Sequence, residues 1–247
     1  MPDLFSLKGK AAWITGGKRI GQRVAELLAE HGANIALSYN KSRKEAEDTA
    51  ERIKKYKVKT FIVQADVSSR QNVVKAVEEI KTNFKKIDIL VLMASIFEKA
   101  DLRSITEDDF KRNFDVHVQG TFWPVRESLS LMPSGSHIIT ISDRTSIGNV
   151  YQNYLPYVVT KAAVASLTRA LAVELGSKGI FINSIAPGPV LKPEDLANDY
   201  WQGIRKSSIL KQRITDNEAV EEFAKLALYL STIKSTGAVY SLDFGHL

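Results

Sequence analysis

Tyr157 and Lys161 are the two residues of this chain whose types and spacing best suit chemistry. They stand one helical turn apart within YLPYVVTKAAVASLTRALAVELGSKG, where Ala, Val and Leu recur at three- and four-residue intervals and predict a helix over 158–175. Both side chains therefore leave the same helix face, and Gly176 and Gly179 are available to end the helix. An ammonium beside a phenol favours the phenolate and lowers its pKa, turning an inert hydroxyl into a proton donor or acceptor. The same spacing also describes an ordinary solvated helix face. The choice rests on what surrounds the pair.

Composition bounds that setting. The chain has 247 residues, 44% hydrophobic and 25% charged, a globular balance with enough interior to bury a sheet in one domain. It has no cysteine, which excludes disulfides, a thiolate nucleophile and a zinc–thiolate centre. His31, His117, His137 and His246 are scattered without ligand spacing, so no metal is expected. The N-terminal MPDLFSLKGK lacks an apolar signal core, and the apolar run 87–97 is short and broken by Asp88 and Ser95. These features predict a soluble, cytoplasmic protein with no membrane partner. A net charge of +6 raises a nucleic-acid reading. Against it, the cations mix with Glu and Asp on several faces, and the dense patch at Lys54, Lys55, Lys57 and Lys59 falls at a helix end, where cations suit the dipole. No nucleic-acid partner is expected. A positive field would still attract a polyanionic cofactor.

Stepping along the chain, strand-like runs at 10–15, 34–38, 58–64, 87–93, 137–142, 180–186 and 238–242 alternate with helical patterns at 20–31, 43–56, 70–84, 106–131, 158–175 and 215–230. Several runs are apolar on both faces. This predicts an α/β fold: one doubly wound, Rossmann-like parallel sheet of about seven strands, helices on both faces, in a single domain spanning 1–247. The segment 191–213 interrupts the rhythm after the sixth strand and is expected to be a substrate loop or lid, with Tyr200 and Trp201 able to close over a flat ligand. A surface excursion with a small core anchor is the alternative.

The first strand-to-helix turn reads Thr15-Gly16-Gly17-Lys18-Arg19-Ile20-Gly21. At this place in such a fold, free helix N–H groups and the dipole favour a dinucleotide pyrophosphate, and glycine lets the backbone approach it. Glycines here also make a simple tight turn. The second strand ends in Ser38-Tyr39-Asn40-Lys41-Ser42-Arg43, with no acid to meet a ribose 2′-hydroxyl and two cations instead. Together with Lys18 and Arg19 this favours NADP(H) over NAD(H).

The glycine turn, Asp66-Val67 after the third strand, the HIITIS strand, Tyr157-x-x-x-Lys161 and NSIAPGPV at 183–190 together resemble the short-chain dehydrogenase/reductase family over essentially the whole chain. Within it the chain looks most like pteridine reductases and dihydromonapterin reductases. Three details carry the narrower resemblance: Lys18-Arg19-Ile20-Gly21 without a middle glycine, Asp143 where most members have serine, and Ala94-Ser95-Ile96-Phe97 resembling that group's A-S-x-F. The resemblance implies hydride transfer from NADPH to a pterin-like heterocycle, with a ketone, aldehyde or alcohol as the alternative. It places Gly16, Lys18, Arg19, Ile20, Gly21, Tyr39, Asn40, Lys41 and Ser42 along the phosphates and ribose, Asp66 and Val67 at the adenine, and Ala94 and Ser95 beside them. Pro187, Gly188 and Val190 would hold the carboxamide. Lys161 would hold the nicotinamide ribose and acidify Tyr157, the proton donor, while Asp143 passes a proton or meets a nitrogen-rich ring. Ser95, Phe97, Tyr157 and Trp201 would surround the substrate.

The chain departs from the family at Leu92-Met93-Ala94-Ser95, where two asparagines are usual, and at His117, which takes the place of a catalytic asparagine. His117 would relay a proton or simply pack. These losses keep a second class open, a nucleotide-binding member without turnover. The resemblance also implies a homotetramer or dimer packed through the long helices flanking the fifth strand, for which Ala162, Val164, Leu167 and Leu171 form a candidate stripe that could equally face the sheet.

Overall fold

Short β-branched and aliphatic runs become β1 (Ala11–Thr15), β2 (Asn34–Tyr39), β3 (Thr60–Gln64), β4 (Ile89–Leu92), β5 (His137–Ile141), β6 (Phe181–Pro187) and β7 (Val239–Leu242). In the computed structural model, which describes residues 5–193, 196–209 and 214–246, they form one sheet ordered β3-β2-β1-β4-β5-β6-β7. Every pairing is parallel. The order reverses between β1 and β4, which opens a crevice at their C-terminal ends. The helices are α1 (Ile20–Glu30), α2 (Arg43–Ile53), α3 (Arg70–Phe84), α4 (Glu107–Phe114), α5 (Gly120–Ser128), α6 (Leu155–Gly176), α7 (Asn198–Ser207) and α8 (Asp216–Leu230).

Burial follows the two-residue period of each strand. Ala12, Ile14, Ile89 and Val91 face a core completed by α1 and α8, while Trp13, Leu90 and Leu92 face the opposite core with α3, α5 and α6. The doubly wound expectation therefore holds strand by strand. Asp88, which broke the apolar run in the sequence, is buried at the start of β4. It accepts from the Ala11 N–H at 2.8 Å and pairs with Lys10 and Lys86 at 3.2 and 3.0 Å, so its charge is compensated.

Three elements differ from expectation. The helix expected over 106–131 starts with a Thr106–Asp109 capping box but is divided by a π-helical turn at Asp115–Gln119 and leaves through a 3₁₀ turn at Leu129–Leu131. One extra residue in a turn leaves the apolar periodicity almost unchanged, so the division is silent in the sequence. The Tyr/Lys helix starts at Leu155 because Pro156, which lacks an N–H, suits a first turn where that donor has no partner. The segment after β6 contains α7 rather than an irregular loop.

The stripe proposed for oligomer packing does not form one outward face. Val164 is buried toward the sheet and Leu171 packs on the same core as α3 and α5, whereas Val159 and Val173 point outward. Among the described residues no helix is long and apolar enough to cross a membrane.

Candidate active site

The C-terminal ends of β4 and β5, the π-helical turn and the first turns of α6 converge on Tyr157. Its ring is buried and its hydroxyl donates to Asp143 Oδ2 at 2.7 Å. Asp143 stands two residues beyond β5, where its Oδ1 accepts from the Thr145 N–H at 2.9 Å and starts a short turn. Lys161, one turn along α6 and also buried, donates from Nζ to the Ile141 carbonyl at 2.9 Å, with the same nitrogen 5.8 Å from the Tyr157 ring centre.

The electrostatics correct the expectation that Lys161 acidifies Tyr157 in the protein alone. Burial raises the Tyr157 pKa well above the ordinary phenol value, and the Asp143 charge and hydrogen bond raise it further. Burial also pulls Lys161 down to about 8, an effect that Asp143 partly opposes. Lys161 is thus spent on a strand carbonyl, and the closest charge to the phenol is a carboxylate.

His117 reaches this site because the π turn carries it inward. Its Nδ1 lies 2.9 Å from Thr160 Oγ1, and its Nε2 lies 3.0 Å from Ser95 Oγ and 3.1 Å from the Ile96 carbonyl. Burial, then the Lys161 charge, lowers its pKa to about 2, so the ring is a neutral bridge between α6 and the segment that follows β4. Its ring also meets the Tyr157 ring edge-on at 5.5 Å. His117 therefore sits beside the proton donor, with both nitrogens engaged.

An aromatic wall faces these groups. Phe97 stacks on Tyr154 at 4.3 Å and 15°, and meets Tyr157 and Tyr151 edge-on at 4.8 and 6.0 Å. Arg144 Nε donates to Tyr151 Oη at 3.1 Å and its guanidinium lies 5.0 Å from that ring's centre. Burial, then the Asp143 charge, raises Tyr151 to about 12. Neither Tyr151, Tyr154 nor Arg144 was singled out from the sequence. The signal was present as tyrosines at 151, 154 and 157, a three-residue aromatic repeat running into the helix.

The other expected residues stand at the strand ends and helix starts around the β1/β4 switch, with the glycine turn at the crevice itself. Gly16 has φ +70°, and a Cβ there would lie 2.8 Å from Ala94 N and Met93 C, so the turn packs directly on the β4 exit. At Gly21 a Cβ would meet the Gly16 carbonyl at 2.6 Å. Thr15 Oγ1 accepts from the Met93 and Ala94 N–H groups at 3.1 and 3.4 Å, which ties the end of β1 to the segment where the family's asparagines are missing. Arg19 and Ser42 stand at the N-caps of α1 and α2, with no side-chain cap on either helix and no acid in the first turn of α1. The α1 end thus keeps N–H groups and a positive dipole end for phosphate oxygens, whereas the first turn of α2 carries Glu45. Tyr39 is buried at the end of β2, next to exposed Asn40 and Lys41. Lys18 pairs with Glu45 at 3.4 Å, and Arg19 donates to the Lys192 carbonyl. Asp66 Oδ1 accepts from Ser68 Oγ and N at 2.6 and 3.0 Å, while Val67 is buried against Gly120. These features accommodate a phosphorylated dinucleotide.

Pro187 ends β6; Gly188 N–H donates to the Leu242 carbonyl at 3.0 Å, and the Val190 N–H turns back to Gly188 at 2.9 Å. Trp201, expected near the substrate, is tied to the start of α8. It is buried, with Nε1 donating to Asp216 Oδ1 at 3.2 Å, because α7 turns its apolar side onto the N-terminus of α8. The Tyr200 side chain and residues 194–195 and 210–213 of the expected lid lie outside the described residues. No group of His, Asp or Glu able to hold a metal occurs among the described residues.

Over residues 16–246 the chain matches the family model described as Enoyl-(Acyl carrier protein) reductase. It is similar to versicolorin reductase 1 of Aspergillus parasiticus, 30% identical over 238 residues that cover 96% of this chain and 87% of that protein. Among solved structures it is similar to a short-chain dehydrogenase/reductase from Serratia marcescens BCRC 10948, with TM-score 0.90, 28% identity and 97% and 98% of the two chains covered. A short chain dehydrogenase from Burkholderia cenocepacia J2315 in complex with NADP gives TM-score 0.87, 27% identity and the same coverage.

Proposed function

The chain belongs to the short-chain dehydrogenase/reductase family, and from that premise we propose that it is an NADP(H)-dependent oxidoreductase that reduces a carbonyl group on a flat, ring-bearing substrate. The observation that carries this reading is the Tyr157 hydroxyl, buried between Asp143 and the Phe97 wall with Lys161 one turn along. NADPH bound in the β1/β4 crevice would supply a hydride. Gly16, Gly21 and the N-terminus of α1 would hold its pyrophosphate, Lys41 and Ser42 its 2′-phosphate, and Pro187 to Val190 its carboxamide. Support for NADP(H) comes from the acid-free end of β2 and from the NADP-bound relative.

Tyr157 would donate its proton to the carbonyl oxygen of the substrate. The phenol is a weak acid in this setting, which suits a group that must stay protonated until a stronger base than the carboxylate develops beside it. Asp143 orients that O–H, and the proton given up by Tyr157 would be replaced from solvent. Lys161 in its ammonium form would offset the phenolate charge. Phe97 and Tyr154 would stack along a planar substrate.

A pterin-like heterocycle is the second reading, favoured by Asp143, whose carboxylate would accept N–H groups from a nitrogen-rich ring. The relationship to versicolorin reductase 1 supports the carbonyl reading over it. A homo-oligomer through α4 and α6 is proposed on the exposed Phe110, Phe114, Val159 and Val173; a monomer in sedimentation at micromolar concentration would remove it. Function is tested by titrating NADPH and NADH against the protein by fluorescence, then following NADPH oxidation with aromatic ketones, quinones and dihydropterins. NADPH binding with turnover of ketones or quinones supports the first reading, and turnover of dihydropterins alone the second. Binding without any turnover favours the non-catalytic class.

A further inference from the structure

We infer that Arg205 is a positioning residue for the nicotinamide end of the cofactor site. The inference rests on the NADP(H) reading above but concerns a residue outside the machinery described there. Arg205 lies in α7, in the excursion after β6, and is 5% exposed. Its Nη2 donates to Asp216 Oδ1 at 2.6 Å and to the Val190 carbonyl at 3.1 Å, and its Nη1 donates to the Ile214 carbonyl at 3.3 Å. The guanidinium lies 5.1 Å from the ring centre of Trp201, whose indole N–H also donates to Asp216. One planar fork thus ties α7, the start of α8 and the turn that follows β6.

Such a cation is costly to bury, and this one is not perfectly satisfied, since its Nε has no partner among the described residues. An apolar residue would anchor α7 to α8 without that desolvation cost. What an apolar residue lacks is a donor for the Val190 carbonyl. The opposite end of the same turn is held by the sheet, through the Gly188 N–H on the Leu242 carbonyl. The Val190 carbonyl accepts from Arg205 instead, so the guanidinium sets the height of the segment that the proposed reading places against the carboxamide. Nη2 alone meets both the carboxylate and the Val190 carbonyl while Nη1 meets the Ile214 carbonyl, so the planar guanidinium holds three acceptors in one fixed arrangement that a flexible ammonium would not reproduce.

The test compares two ligands on the intact protein. NADPH reaches the nicotinamide end, whereas 2′-phospho-ADP-ribose carries the same phosphates without the nicotinamide. Arg205→Met is expected to weaken NADPH roughly tenfold, the effect of one charge-assisted hydrogen bond, and to leave 2′-phospho-ADP-ribose affinity unchanged. Arg205→Lys, which keeps the charge facing Asp216 and loses the fork, is expected to weaken NADPH selectively as well while holding the melting temperature near wild type. This variant carries the comparison if Arg205→Met does not fold. Equal weakening of both ligands, or no weakening of either, would overturn the assignment and assign Arg205 a purely structural role. Wild-type protein that binds neither ligand would instead overturn the NADP(H) reading, and this inference with it.

Discussion

The two walls of the crevice are built by different means. On the strand-end wall, functional side chains are tied to backbone: Lys161 to the Ile141 carbonyl, His117 to the Ile96 carbonyl, and the glycine turn to the β4 exit by direct backbone packing. On the other wall α7 is held by a knot of side chains, Arg205, Trp201 and Asp216, whose backbone ties run to the Val190 and Ile214 carbonyls outside the strands. Backbone-anchored groups share the rigidity of the sheet, whereas a side-chain knot can open locally at a cost well below global unfolding. The strand-end groups therefore move with the sheet, whereas the α7 knot can loosen apart from it.

The sharpest way to break this comparison is to remove the proton donor from the rigid wall. Tyr157→Phe should lower kcat by about 10²–10⁴-fold without changing NADPH affinity, read by steady-state kinetics and fluorescence titration. Unchanged turnover would remove Tyr157 from the chemistry. Asp143→Asn should cost less and should move the alkaline limb of the pH–rate profile to lower pH. The sign follows from the two groups facing the carboxylate: its charge helps to raise Tyr157, and it also raises Lys161 toward the about 8 that burial leaves, so both fall without it. In the wild type, activity should decline as pH rises past about 8, where Lys161 loses its proton. A limb that stays in place in Asp143→Asn would show that the carboxylate does not control either group.

Glycine substitutions separate backbone packing from backbone conformation. Gly16→Ala should destabilise by clearly more than about 1 kcal/mol, because a strained positive φ is joined by a clash with Ala94. Gly135→Ala, at φ +86° with open space around it, should cost the conformational part alone. Equal melting temperatures for the two variants would mean that the turn yields easily and that the wall is softer than described.

His117 tests the burial argument by stability. Its folded pKa is depressed to about 2, so between the ordinary imidazole value and that pH the unfolded chain binds the extra proton. Stability should therefore fall as pH drops below about 6.5, by up to roughly 1.4 kcal/mol per pH unit from this group, and His117→Asn should flatten the slope. The smallest effect is one of dynamics. Backbone amides of α7 should exchange with deuterium well before those of α6 near Lys161; equal protection would remove the contrast between the walls.

Tyr157 and Lys161 were legible because helical spacing alone puts them on one face, and the Gly16 turn because it falls where a first strand must meet a first helix. His117 was visible as a substitution, but its inward aim depends on one extra residue in a helical turn, which leaves hydrophobic periodicity nearly intact. The bond from Trp201 to Asp216 was not legible, because an aromatic in a loop-like stretch does not reveal which side it buries.

The sequence by itself determined the parallel sheet, its two cores and the strand ends where a site must lie, because period-two and period-3.6 patterns act over a few neighbouring residues. Tertiary structure decided which groups meet there. Asp143 faces Tyr157 across 14 residues, Arg205 faces Asp216 across 11, and His117 faces Thr160 across 43. It also decided the protonation of these groups, since desolvation and through-space charge depend on which side chains the fold has brought together and shielded from water.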